Sequence, residues 1–369
     1  MKKIIILSTM MLLLTFNCVF AAEVSIELSK DAILINGESI TDDVQRDIYL
    51  QKIVETHPDV SEENKNIENK VITITKAGTY RIKGTIDDAQ LRIDTSDNEN
   101  VELILDNASI TCKTAPAILI NKAADDEIPN NAKVKLILEN ENIITGSHVA
   151  EYYDEEGTKF KNDAAISSKK SLIIEGNGSL RVNSDNEGIE SKMHLTINGG
   201  TIEIFSEDDA LNASEDGVSH ININDGSVYA IVQGNGGEGD GIDSNNAAVM
   251  TGGIVLAQGP SNGGNGVIDY DRSFSFSGGL LLAIGCNGMN QKPTASSGNT
   301  STSKTISTNT SSYVKVDVNG KTVACIKVTK SSQNYCVLAY NNTSYPSATV
   351  NVVTSFNETL VNNLYYVAE

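Results

Sequence analysis

An acidic motif recurs at one phase of a strand-like pattern. It reads DAAIS from Asp163, EGIES from Glu187, DALNA from Asp209, DGIDS from Asp240 and NGVID from Asn265. Parallel strands stack about 4.8 Å apart, so equivalent carboxylates would nearly touch and would need protons or a cation. Calcium takes carboxylate, amide and carbonyl oxygens, and no His or Cys accompanies the motif. The pattern therefore favours a calcium site over zinc or copper.

The residues that could bind this metal are the acids and amides of the motif and of the turns beside it. The first group is Glu187, Glu190, Asp208, Asp209, Asn212, Asp240 and Asp243, and a second group is Asp185, Asn265 and Asp269. The alternative interpretation is that these acids are solvated turn residues that keep one edge of the protein soluble.

Short alternating strands around glycine turns must position this motif. The aligned glycines are Gly178, Gly200, Gly226, Gly253 and Gly279, at steps of 22, 26, 27 and 26 residues. A period of this length with two or three strands per unit is typical of a solenoid, whose units must stack to bury their apolar sides. Because long helical periodicity is missing, we expect an all-β protein, a right-handed single-stranded parallel β-helix.

The chain divides into five predicted parts. Residues 1–21 resemble a secretory signal, with Lys2 and Lys3 before an apolar core. An N-terminal cap is expected over 22–70 and the β-helix over 71–290. A Ser/Thr-rich linker follows at 291–312, and a small C-terminal β segment ends the chain at 313–369. Cys18 leaves a lipoprotein signal as an alternative.

The net charge of the chain limits the classes of molecule that it can bind. Without Lys2 and Lys3 the chain keeps 26 basic against 48 acidic residues, a net charge of −22. Nucleic acid and anionic membrane both require a basic face, so both are excluded as natural partners. The apolar start is too short for a confident membrane span and no other span is evident. We expect a secreted or cell-surface monomer.

Four cysteines remain after removal of the signal. Cys325 and Cys336 lie symmetrically around Lys330 and Ser331, and in a hairpin of that register they would face each other. A disulfide and two buried free thiols both stay open.

Several linked segments resemble a known family. They are VITITKAGTYRIKGTI from Val71, VELILDNASITC from Val101, DAAISSKKSLIIEGNGSLRV from Asp163, EGIESKMHLTINGGTIEIFSEDDALNA from Glu187 and GDGIDSN from Gly239. Together they resemble the bacterial secreted carbohydrate-binding β-helix domain, which is similar to family 9 pectate lyases. The resemblance covers about 71–288. It implies a parallel β-helix, calcium, and binding of cellulose or polygalacturonate-type polysaccharides.

The chain departs from that family on the acidic face. Glu190, Asn212 and Asp243 stand where the family often has Lys, and only Lys169 and Lys192 keep the second Lys of its repeated unit. Fewer basic residues weaken direct recognition of sugar carboxylates by Lys, whereas more acids favour calcium. The candidate carbohydrate-binding residues are Lys169, Lys192, Tyr152 and Tyr153.

Three functions remain open at this point. We expect a non-catalytic extracellular protein that binds polysaccharide, either cellulose or acidic pectin-like glycans, with calcium between its strands. The second hypothesis is a calcium-dependent polysaccharide lyase that acts by β-elimination, for which Lys192 is the candidate base. The third is a structural surface adhesin.

Overall fold

The computed structural model describes residues 23–40, 47–54, 68–125, 127–153, 159–234, 239–289, 291–360 and 364–366. The predicted signal at 1–21 and parts of the predicted cap lie outside these ranges. Within them no residue is helical, and no helix is available to cross a membrane. The all-β prediction is confirmed.

Most strands are short, as expected from alternating apolar residues between Gly, Asn and Asp turns. In chain order they are β1 (Val24–Leu28), β2 (Ile33–Ile35), β3 (Glu38–Ser39), β4 (Ile48–Val54), β5 (Glu68–Ile74), β6 (Gly78–Ile86), β7 (Ala89–Asp94), β8 (Val101–Thr111), β9 (Ile118–Lys122), β10 (Val134–Glu139), β11 (Glu141–Gly146), β12 (Val149–Tyr153), β13 (Lys159–Asn162), β14 (Ala164–Ser168), β15 (Leu172–Gly176), β16 (Ser179–Ser184), β17 (Glu187–Ser191), β18 (His194–Ser206), β19 (Leu211–Ala213), β20 (His220–Val232), β21 (Ile242–Ser244), β22 (Ala247–Met250), β23 (Ile254–Gln258), β24 (Ile268–Tyr270), β25 (Ser273–Phe276), β26 (Leu280–Gly285), β27 (Thr294–Ala295), β28 (Asn299–Thr305), β29 (Tyr313–Val318), β30 (Lys321–Lys327), β31 (Tyr335–Asn341), β32 (Thr349–Val353) and β33 (Leu364–Tyr366).

The predicted architecture, a right-handed single-stranded parallel β-helix, is wrong. Six parallel strands close a ring in the order β8, β10, β15, β18, β16 and β11, and β11 pairs back to β8. Other strands of the same sheet, such as β6 and β20, bond to this ring from outside. The ring closes because β8 and β18 are 11 and 13 residues long and each pairs with two shorter strands at once. The sequence marks Gly200 as a turn between strands, but in the structure the strand β18 continues through it.

A separate nine-stranded sheet carries the acidic motif. Its order is β24, β21, β19, β17, β14, β9, β7, β5 and β4, and all pairs are parallel except β4 with β5. Leu136 and Leu180 of the large sheet and Ile166, Ile189 and Leu211 of the nine-stranded sheet are fully buried in one continuous core. The motif strands are therefore fixed along one side of that core.

Antiparallel strands lie beyond both ends of the parallel pairs. At the start of the chain β4 pairs with β5 and β2 pairs with β1. At the other end β31 pairs with β26 and with β28. The Ser/Thr-rich range 291–312, which the sequence indicates as a linker, contains β27 and β28. Its polar residues are thus partly hydrogen-bonded in the large sheet.

The C-terminal strands build a second core against the large sheet. The four-stranded sheet β32, β29, β30 and β33 packs Val314, Val316 and Ile326 toward Leu256 and Leu282. Cys325 lies in this sheet, whereas Cys336 lies in β31 of the large sheet. The hairpin expected to bring them together is therefore wrong, because their strands belong to different sheets. Both thiols are free and buried.

Three glycines stack on one another, one within β20 and the others in the connections β22–β23 and β25–β26. Gly226, Gly253 and Gly279 each have φ between +75° and +88°, and a Cβ on each would lie 2.4–2.7 Å from the carbonyl oxygen of the preceding glycine in the stack. A side chain at these positions would meet both backbone strain and a rigid neighbour.

We expect Gly253→Ala to cost about 3 kcal/mol or more, because strain at positive φ adds to a clash with the Gly226 carbonyl. Gly298 has φ +82° but open space around it, so Gly298→Ala should cost only about 1–2 kcal/mol. Urea unfolding of both variants measures the difference. Equal losses would show that the close glycine stacking does not constrain the fold.

Candidate functional site

Parallel pairing aligns the second acidic or amide position of the motif. Glu190, Asn212, Asp243 and Asp269 are successive register partners in β17, β19, β21 and β24. The first motif position follows the same path, since Glu187 N donates to the Asp163 carbonyl at 2.9 Å and Ala210 N donates to the Asp240 carbonyl at 2.9 Å. The two aligned positions lie side by side along one edge of the nine-stranded sheet, where they form two clusters of carboxylates.

The first cluster consists of Asp163, Glu187 and Glu190, whose carboxylate oxygens lie within 4.8 Å of one another. Two lysines already pair with it. Lys192 Nζ contacts Glu190 Oε1 and lies 4.0 Å from Asp163 Oδ2, and Lys161 Nζ lies 2.6 Å from the same Asp163 oxygen. Two lysine ammonium groups therefore partly neutralise the three carboxylates of the first cluster.

Glu187 is the least satisfied member of the first cluster. Burial, followed by the charges of Glu190, Asp209 and Asp163, raises its pKa well above the usual range. Its Oε2 atom is buried without a hydrogen-bond partner. A buried acceptor in that position is costly unless a proton or a cation reaches it.

Asn212 joins the first cluster to the second. Its Nδ2 atom donates to Glu187 Oε1 and to Asp209 Oδ2, each at 3.1 Å. Its Oδ1 atom is buried and has no partner. An amide that has used both donors leaves its oxygen free as a ligand for a hard cation.

The second cluster consists of Asp240, Asp243 and Asp269, again with oxygens within 4.8 Å of one another. Burial is the largest cause that raises the pKa of Asp240 to about 8 and that of Asp243 to about 7. Burial together with Asp243, Asp208 and Asp240 also raises the pKa of Asp209 well above its usual range. In the part of the chain that the structure describes, no Lys or Arg forms an ion pair with the three cluster carboxylates.

The two clusters thus differ in how their charge is balanced. In the first cluster, the ammonium groups of Lys161 and Lys192 provide much of the positive charge that a metal ion would provide. In the second, three carboxylates, with Asp209 and the Asn212 amide oxygen beside them, are short of positive charge. Oxygen donors of this kind in a partly buried cluster fit a hard divalent cation such as calcium. The second cluster therefore fits a hard divalent cation better than the first cluster does.

The structure separates some residues that the sequence groups together. Asp269, placed in the second group of candidates, is a full member of the second cluster. Asp185 lies away from both clusters and binds Ser147 Oγ at 2.6 Å and the ring of His148 at 3.2 Å. The Asn265 amide faces the backbone of Gly239 and Gly264. Asp208 contributes its charge beside Asp209, Asp240 and Asp243.

Two residues of the first cluster, Asp163 and Lys161, are not among the site residues that the sequence predicts. Asp163 begins the first copy of the motif, so its alignment with Glu187 was available from the pattern. Lys161 stands just before that motif and carries no periodic signal. Only the folded structure brings its ammonium to Asp163.

Of the four candidate carbohydrate-binding residues, Lys169 and Lys192 are neighbours, since they follow the register partners Ser168 and Ser191 and the charge of Lys192 acts on Lys169. Lys169 donates to Asn121 Oδ1 at 2.9 Å, and burial together with Arg92 lowers its pKa. Lys192 is held in the first cluster. Tyr152 and Tyr153 belong to strand β12, but their side chains lie outside the described part of the structure.

A family model and one relative that match this chain carry the same description. The family model described as carbohydrate-binding domain-containing protein matches residues 68–351. A protein of Acetivibrio thermocellus with the same description is 31% identical over 157 residues, which are 42% of this chain and 52% of that protein. The chain therefore spans about half the length of this relative.

A solved structure, a polysaccharide lyase-like protein from C. thermocellum in a gadolinium derivative, is similar over 75% of this chain and 98% of that chain. Its TM-score is 0.48 and its sequence identity 23%. The family match extends over most of the chain and includes both carboxylate clusters, and on that ground the chain belongs to the carbohydrate-binding domain-containing protein family.

Proposed function

We propose that this protein binds extracellular polysaccharide without cleaving it and holds calcium in the second cluster, Asp240, Asp243 and Asp269. Family membership supports carbohydrate as the ligand class. The observation that carries the calcium part is the group of one buried and two half-buried carboxylates with which no described Lys or Arg forms an ion pair. Bound calcium would neutralise that group and stabilise the strands β21 and β24 that carry it.

Lys192 gives the lyase alternative little geometric support. A base for β-elimination needs a free lone pair directed at the substrate. The Lys192 ammonium instead contacts Glu190 and faces Asp163. This arrangement favours a protein that retains polysaccharide but does not cleave it by β-elimination. A structural adhesin, the third hypothesis, would use the metal for stability alone and would retain no glycan.

The first test measures melting temperature with and without calcium. A calcium concentration of about a hundred times the Kd adds about 2.7 kcal/mol, which raises the melting temperature by roughly 5 °C. Asp243→Asn should abolish this increase, because it removes a carboxylate that lies within 4.8 Å of its two partners. Without metal, the same variant should melt at or above the wild-type temperature, since it relieves like-charge repulsion.

Glu190→Gln is the matched control, an acid-to-amide change in the first cluster, where lysines supply the positive charge. It should keep the calcium-dependent increase, although it loses stability by unpairing Lys192. If Glu190→Gln abolishes the increase and Asp243→Asn keeps it, the proposed location of the ion is wrong.

The metal-free protein should lose stability as pH rises. Folded Asp240 and Asp243 hold protons up to pKa values of about 8 and about 7, whereas the unfolded carboxyls lose theirs near 3.8. Between about pH 4 and pH 8 the folded state thus binds more protons, and the free energy of unfolding falls with rising pH. Melting in chelator across this range measures the slope, and Asp243→Asn should reduce it. If the pH dependence of melting is equally steep in the wild type and in Asp243→Asn, the proposed effect of burial on the Asp243 carboxyl is wrong.

The function itself is tested by incubating the protein with polygalacturonate and, separately, with cellulose, in calcium and in chelator. We expect retention of the protein on at least one polymer and no rise in ultraviolet absorbance from unsaturated product. A rise that disappears in Lys192→Ala would establish a lyase instead. Calcium-dependent stability with no retention on either polymer would favour the structural adhesin.

A further inference from the structure

Two histidines meet on the large sheet, which is a different sheet from the one that carries the carboxylate clusters. His194 begins β18, His220 begins β20, and the two residues are register partners in this parallel pair. Partners in parallel strands point to the same face of the sheet. The two imidazole rings are therefore neighbours, with their centres 5.4 Å apart and their planes at 76°.

The His194 ring is buried without the partners that its nitrogens need. The residue is 2% exposed, and among the described residues neither Nδ1 nor Nε2 has a hydrogen-bond partner. A neutral imidazole carries a proton on one nitrogen and a lone pair on the other. Both groups are costly to bury unpaired, so the position indicates a ligand that the ring can bind.

The His220 ring is half-buried and gives the pair an open side. Burial, followed by the charge of His194, lowers the pKa of His220. The imidazole is therefore neutral at neutral pH, and its lone pair is available. This is the protonation state in which histidine binds a metal ion.

The distance between the rings agrees with one metal ion bound by both. Zinc binds a histidine nitrogen at about 2.0–2.1 Å, which places each ring centre about 3.2 Å from the ion. At a tetrahedral angle the two ring centres are then about 5.2 Å apart. The observed separation is 5.4 Å. An edge-to-face aromatic pair has a similar separation, but it contains no ligand for the His194 nitrogens.

We propose that His194 and His220 together bind one zinc-like divalent metal ion, at a site separate from the calcium proposed in the second cluster. Imidazole nitrogens suit zinc and related transition metals, whereas carboxylate and amide oxygens suit calcium. Among the described residues no third His, Cys, Asp or Glu joins the pair. Water would complete the coordination, as in zinc sites that keep an open position.

The chain offers a matched control histidine. His148 is also half-buried, but its ring contacts the Asp185 carboxylate at 3.2 Å and lies on a different part of the large sheet. His148→Ala therefore removes one imidazole without changing the pair. His220→Ala removes the more accessible ring of the pair, and His194→Leu removes the buried one.

The experiment is calorimetric titration of the metal-free full chain with Zn²⁺, in the presence of saturating calcium to fill oxygen sites. We expect one zinc ion per chain and a rise in melting temperature with zinc. His220→Ala should bind zinc about tenfold or more weakly, because one of two protein ligands is lost. His194→Leu should behave in the same way, and His148→Ala should bind like the wild type. The calcium-dependent rise in melting temperature, kept in all three variants, shows that they are folded.

The other results overturn the proposal. If the wild type binds no zinc, the two rings form an aromatic contact only. If His148→Ala loses zinc while His220→Ala keeps it, the ion lies beside Asp185 instead. If calcium displaces zinc and none of the histidine variants alters binding, zinc occupies the carboxylate clusters. None of these results changes the polysaccharide retention by which the proposed function is tested.

Discussion

Parallel strand pairing is the constraint on which the rest of this structure depends. It places chemically equivalent residues about 4.8 Å apart, whether they are glycines, buried aliphatic residues or carboxylates. For Ile166, Ile189 and Leu211 this closeness is favourable, because it buries apolar surface in a continuous core. For Glu190, Asn212, Asp243 and Asp269 the same geometry concentrates charge that must be neutralised.

The molecule balances that charge in two different ways along one edge. Near β14 and β17, Lys161 and Lys192 bring ammonium groups to Asp163 and Glu190. Near β21 and β24 the described residues offer no such cation, and burial raises the pKa of Asp240 and Asp243 instead. A proton and the proposed calcium ion would compete for the same oxygens, so the proposed metal binding at the second cluster would be coupled to pH.

The acidic motif and the all-β class were readable from the sequence alone, because strand alternation, glycine turns and recurring acids are local patterns. The alignment of Glu190 with Asn212 and Asp243 follows from that spacing. The closed ring was not readable, since it depends on the length of β8 and β18, each of which continues far enough to pair with two shorter strands. Only the fold decides which groups each carboxylate contacts. Lys161 forms an ion pair with Asp163, whereas Asp185 contacts His148 and Ser147. Periodicity specifies which residues stack, but side-chain direction and the path of the connecting segments decide which charges meet.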